Sequence, residues 1–164
     1  MEFNNLKLEK LEKEIQKNPS ILAAMYTGSV GKGTSDIFSD LDLEFVVTKN
    51  FLKNSKKNML ALLKSIALPK VVFYFNERNV KSLLGQDYQK VDIKLHDKNS
   101  LIPREKYNKV IIIKDTNKTL HNFVKNSENC RTKISKESTK ERFKEAIMTQ
   151  IVAANRCSRG WGWS

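Results

Sequence analysis

The segment from Tyr26 to Leu43, Tyr-Thr-Gly-Ser-Val-Gly-Lys-Gly-Thr-Ser-Asp-Ile-Phe-Ser-Asp-Leu-Asp-Leu, leaves this chain few ways to fold. An apolar run, Ile21 to Tyr26, leads into it and reads as a buried strand. A glycine-bearing turn follows over Gly28–Ser39, and a second strand is expected from Leu41 to Thr48. Side chains alternate along a strand, so Asp40 and Asp42 leave one face while Leu41 and Leu43 enter the core. Two carboxylates held that close repel unless a positive group sits between them.

The rest of the chain supplies helices and further short strands. Leu8, Leu11 and Ile15 give residues 6–17 one apolar helical face, and Asn18-Pro19-Ser20 ends it. Leu52, Met59, Leu60, Leu63 and Ile66 predict a helix over 51–66, broken at Leu68-Pro69. Val71–Phe75, Val91–Leu95 and Val110–Ile113 read as three more strands. The last third is helical in pattern, with Phe143, Ala146, Ile147, Ile151 and Ala154 at three- and four-residue spacings. The expected fold is α/β (α+β): a small mixed, twisted sheet, helices mainly on one face, and a C-terminal helix. Residues 1–136 form the main domain in this reading, and 137–164 a helix and tail, or the start of a further helical domain.

The turn has the chemistry of a phosphate cradle. Gly28 lets the backbone bend sharply and approach a ligand. Ser29 offers a hydroxyl and an N–H, and Lys32 a positive charge. A Walker A loop would need Ser or Thr straight after Gly31-Lys32, where Gly33 stands, and Asp36 fills the last glycine place of a dinucleotide fingerprint. The spacing that is present is Gly28-Ser29, ten residues, then Asp40-Leu41-Asp42. It resembles the signature of the DNA-polymerase-β-like nucleotidyltransferase superfamily. The stretch through Tyr107–Asp115 is similar to the aminoglycoside 6-adenylyltransferase branch, near the minimal nucleotidyltransferases.

That resemblance implies a nucleotidyltransferase fold and transfer of a nucleoside monophosphate from a nucleoside triphosphate, ATP the first expectation, to a hydroxyl acceptor. It implies two Mg2+ ions held by Asp40, Asp42 and a third carboxylate on a later strand. Asp92, in Gln89-Lys90-Val91-Asp92-Ile93-Lys94-Leu95, is the candidate for the third. Gly28, Ser29 and Lys32 would hold the triphosphate. Magnesium suits such a site physically, being a hard cation held by one or two carboxylates plus substrate phosphates. Glu44 shares the parity of Asp40 and Asp42 and reads as a solvent-facing or supporting residue. His96 and His121 read as surface residues, and Cys130 and Cys157 as structural ones.

Charge bears on the acceptor. The chain holds 30 Lys and Arg against 18 Asp and Glu, a net of +12. Residues 1–50 carry six basic and eight acidic residues, net −2, whereas 98–164 carry fifteen and six, net +9. An excess of that size attracts polyanions, although a lysine-rich solvated surface would give the same count. A small acceptor such as an aminoglycoside is itself cationic. The alternatives are RNA or a partner protein, as for minimal nucleotidyltransferases of toxin–antitoxin systems, or a non-catalytic nucleotide-binding module. Trp161 and Trp163 can stack on bases or simply end the chain. With two cysteines and no apolar run of membrane length, the expected location is cytoplasmic. The apolar face of the C-terminal helix calls for a partner surface, with a homodimer one way to supply it.

Overall fold

A computed structural model describes residues 7–36, 39–130, 146–151 and 154. The chain divides into two compact units, Met1–Thr132 and Lys133–Ser164. In the second unit 146–151 and 154 are helical, while Phe143, Cys157, Trp161 and Trp163 lie outside the described residues. Among the described residues no helix is long and apolar enough to cross a membrane.

The first unit is built on a six-stranded mixed sheet. Its strands are β1 (Ile21–Tyr26), β2 (Leu41–Val47), β3 (Pro69–Asn76), β4 (Asn79–Leu84), β5 (Gln89–His96) and β6 (Ile111–Asp115). They lie in the order β3-β4-β5-β2-β1-β6. β2 and β5 run parallel and the other neighbours antiparallel. The helices are α1 (Leu8–Lys17), α2 (Gly28–Lys32), α3 (Lys49–Lys53), α4 (Ser55–Ile66) and α5 (Thr119–Glu128), with a 3-10 turn at Glu105–Tyr107. The expected α/β class holds.

The parity of β2 sorts the two faces. Leu41, Leu43, Phe45 and Val47 point into the larger core with Leu11 and Ile15 of α1 and Met59, Leu63 and Ile66 of α4. Each fully buried Leu or Ile there contributes about 1.5–3 kcal/mol by leaving water. The other face holds Val46, with Ala23 and Met25 of β1, under Tyr107, Leu120 and Phe123. Helices α1, α3 and α4 therefore share one face as expected, and α5 with the 3-10 turn covers part of the other. Asp42 and Glu44 share the parity of Val46 on β2 and so leave the larger core.

Three elements differ from the sequence reading, the first being the single helix expected over 51–66, which is divided at Asn54 into α3 and α4. β4 forms where no strand was expected, because Asn79-Val-Lys-Ser-Leu-Leu84 breaks alternation and follows a two-residue turn. Residues 28–32, read as a turn, close one short helix ending at Gly33 in the left-handed region.

Candidate active site

Strand register brings the central carboxylates together. On the parallel β2–β5 pair Asp42 lies directly opposite Asp92, and on the antiparallel β4–β5 pair Asp92 lies opposite Lys81. Neighbouring strands are about 4.8 Å apart, so Lys81, Asp92 and Asp42 form one row across three strands. The row continues to the end of β1, where Thr27 N donates to Asp42 O at 3.0 Å. Asp40 stands just before β2, in the loop that Gln89 ties to β5 by donating from Nε2 to Ser39 O.

The backbone at Gly28 rests on Asp42. Gly28 has φ +63°, and a Cβ added there would come within 2.1 Å of Asp42 Oδ2. Glycine is needed twice over, for the left-handed backbone and for the missing methyl. Ser29, half-buried in the first turn of α2, closes the loop through its carbonyl, which accepts from Thr34 N at 3.0 Å. Lys32 goes elsewhere. It is exposed at the far end of α2, where it lines a cavity of about 470 Å³ with Glu105, Lys106, Asn108 and Lys109.

Two lysines that the sequence reading did not assign serve the carboxylates. Lys81 Nζ lies 2.9 Å from Asp92 Oδ2, and Lys90 Nζ lies 2.5 Å from Asp40 Oδ2. Both lysine side chains are about one-tenth exposed, at 11 % and 10 %. Even so, the Asp42 carboxyl is pushed up to about 6, first by burial and then by the charges of Asp92 and Asp40. Burial also raises Asp92, outweighing the opposing pull of Lys81. Lys90 was legible by parity, two residues before Asp92 on one strand. Lys81 was hidden because β4 was.

One row further along β2, Glu44 is 4 % exposed and carries three partners. His96 Nε2 lies 2.7 Å from Oε2, Tyr107 OH donates to Oε2 at 2.6 Å, and Lys106 Nζ to Oε1 at 2.9 Å. Burial alone would raise this carboxyl, but these partners prevail and hold it near 2. Glu44 is thus buried in a supporting place, its solvent-facing alternative excluded, and with the half-buried His96 it ties the 3-10 turn to the sheet beside the carboxylates. His121 is exposed and contacts Asp115 through Nδ1 at 2.8 Å. Cys130 is a free, partly buried thiol.

Among the described residues no three His, Cys, Asp or Glu side chains are already gathered as a metal cage. Asp40 and Asp92 each turn one oxygen to a lysine. The donors nonetheless fit a hard divalent cation. Asp42 and Asp92 are adjacent and mutually repelling, and Asp92 Oδ1 is buried without a hydrogen-bond partner. A cation shared with substrate phosphates asks for no more than one or two such carboxylates.

No family model matches the chain, and no curated protein matches it. Among solved structures the chain is similar to the STING-associated CdnE c-di-GMP synthase from Capnocytophaga granulosa. The identity is 24 %, over 54 % of this chain and 30 % of that one, with a TM-score of 0.38. The matched part is thus under a third of that synthase's length, and a likeness of this extent carries no argument about chemistry. The narrower expectation, the aminoglycoside 6-adenylyltransferase branch, rests on residues 107–115 alone.

Proposed function

We propose that the chain is a magnesium-dependent nucleotidyltransferase that moves a nucleoside monophosphate from a triphosphate, ATP first, to a hydroxyl acceptor. The observation that supports this best is the register pair Asp42–Asp92 with the Gly28 backbone packed on Asp42. A glycine-serine turn reaches Asp42, one of two neighbouring half-buried carboxylates. A divalent cation there would neutralise the carboxylates and the triphosphate and favour in-line displacement at phosphorus. The acceptor oxygen would bond to the α-phosphorus as the bond to the β-phosphate breaks and pyrophosphate leaves. Asp92, whose Oδ1 holds no hydrogen bond, would take the acceptor's proton. Gly28 and Ser29 would offer backbone N–H groups and a hydroxyl to the phosphates. The excess of lysine over residues 98–164 favours RNA as a second reading of the acceptor, ahead of a cationic small molecule.

Transfer of label from an α-labelled triphosphate to candidate acceptors tests this. Label should move with magnesium, stop with EDTA, and fall at least 10³-fold in Asp42→Asn while the circular dichroism spectrum is kept. Near wild-type transfer by Asp42→Asn at saturating magnesium would falsify the assignment.

A further inference from the structure

A cavity of about 470 Å³ opens beside the far end of α2, lined by Lys32, Glu105, Lys106, Asn108 and Lys109. Two segments build it, and each is fixed from within the fold. The first is the 3-10 turn. Lys106 Nζ donates to Glu44 Oε1 at 2.9 Å and lies 4.2 Å from the centre of the Tyr107 ring, while Tyr107 OH donates to Glu44 Oε2. Glu44 is fully buried, so the wall that carries Lys106 is anchored to the sheet from inside. The second segment is α2. A Cβ added at Gly31 would stand 2.6 Å from Tyr26 O and 3.1 Å from Lys109 O, so a glycine is what lets α2 lie against residues 109–110. That close approach brings Lys32 and Lys109 onto one concave surface.

We infer that this cavity is a binding site for phosphate groups that works without a metal ion. Ammonium groups gathered on one concave surface repel one another, and an anion seated among them relieves the repulsion. Each lysine brings three N–H donors and no acceptor, and Asn108 adds an amide donor. A phosphate, with several charged oxygens, accepts from all of them, and a wall already fixed by Glu44 loses little freedom in doing so. Glu105 on the wall and Glu44 behind Lys106 temper the attraction, yet two carboxylates do not match three ammoniums. Two sources share this chemistry. One is the tail of a nucleotide held at Gly28, which lies at the other end of α2, about 6 Å away along the helix. The other is the phosphodiester backbone of an RNA acceptor. The cavity uses neither Asp42, Asp92 nor their cation, so it stands or falls apart from the transferase reading.

Calorimetric titration with inorganic tripolyphosphate, in EDTA and at about 0.1 M salt, where long-range attraction is largely screened, tests this. Wild type should bind. Lys32→Gln and Lys109→Gln, both at exposed positions, should each weaken binding roughly tenfold. Lys57→Gln, which removes an exposed charge on α4 outside the cavity wall, should leave it unchanged. Competition then names the source. ATP displacing tripolyphosphate where AMP does not points to the nucleotide's own tail; a short oligoribonucleotide displacing it where ATP does not points to the acceptor. Either result supports the site. No binding without metal, equal losses in all three lysine variants, or displacement by neither competitor overturns it, and none of these outcomes bears on the label-transfer assay that tests the transferase.

Discussion

Gly28 and Gly33 both have positive φ, 63° and 70°, yet one added methyl poses a different problem at each. At Gly33 nothing lies within 4 Å of the new atom, so Gly33→Ala meets only backbone strain, about 1 kcal/mol. At Gly28 the same strain is joined by a 2.1 Å collision with the Asp42 carboxylate. Gly28→Ala should therefore lose more stability than Gly33→Ala in urea titrations and bind magnesium triphosphate at least tenfold more weakly. Equal losses for the two variants would mean that Asp42 moves aside freely. Asp42 also leaves a signature in pH. Its folded carboxyl titrates near 6, above the ordinary carboxylate value of 3.8, so the native state keeps a proton that the unfolded chain has already released. Stability in EDTA should accordingly fall as pH rises from about 5 to 7.5, by on the order of 1 kcal/mol. Glu44 does not blur this, because its stability is lost only below its unfolded value of 4.5, towards 2. Asp42→Asn should lessen the decline, leaving the part that the raised Asp92 carboxyl carries, and be the more stable protein at pH 7.5. Asp40, Asp42 and Gly28 were legible in the sequence, because spacing and strand parity alone mark them. Lys81 was not, because a counter-ion on another strand is chosen by a neighbour across the sheet, and local pattern says nothing of neighbours.

At the scale of elements, α5 shows how a motif residue can serve structure. Its first residue follows Lys118, which adopts a left-handed conformation and provides no side-chain cap. The orphan N–H groups go to Asp115 at the end of β6: Thr119 N donates to Oδ1 at 2.8 Å, and Leu120 N and His121 N donate to Oδ2 at 3.0 and 3.2 Å. The Asp115 side chain is 3 % exposed, so the carboxylate is held inside the first turn. Asp115→Ala should cost about 1–2 kcal/mol in urea unfolding, with triphosphate affinity unchanged at saturating protein stability. A selective loss of nucleotide binding would instead move Asp115 into the site. Strands β1, β2 and β5 were readable because each pairs an unbroken alternation or an apolar run with a clear turn. β4 escaped because Lys81 and Ser82 interrupt its apolar positions, and a lysine that is buried by a distant aspartate looks, locally, like a solvated one. The Glu44 network escaped for the same reason: its partners His96, Lys106 and Tyr107 come from 52 to 63 residues away.

For the whole molecule the unequal charge is the property most open to measurement. Asp40 and Asp42 lie in residues 1–50, a stretch of net −2, whereas residues 98–164 carry +9. Within that basic stretch Lys106 and Lys109 share a cavity of about 470 Å³ with Lys32, beside the segment that Glu44 anchors. Short-range contacts and diffuse attraction respond differently to salt. A triphosphate held through backbone N–H groups and a shared cation makes few contacts, and these are partly screened from solvent ions already. RNA lying along a lysine-rich surface releases a counter-ion for each phosphate neutralised, so its affinity falls as a steep power of salt. For about six phosphates on a single strand, raising salt from 50 to 200 mM should weaken binding by roughly 10²- to 10³-fold. Magnesium triphosphate affinity should fall less than tenfold over the same range. Fluorescence anisotropy with a labelled oligoribonucleotide, beside calorimetry with the triphosphate, gives both slopes on one preparation. A steep slope for RNA and a shallow one for the triphosphate would support RNA as the acceptor class. Shallow slopes for both, or RNA binding too weak to titrate at 50 mM salt, would return the acceptor to a small molecule and leave the lysines as solvating charge.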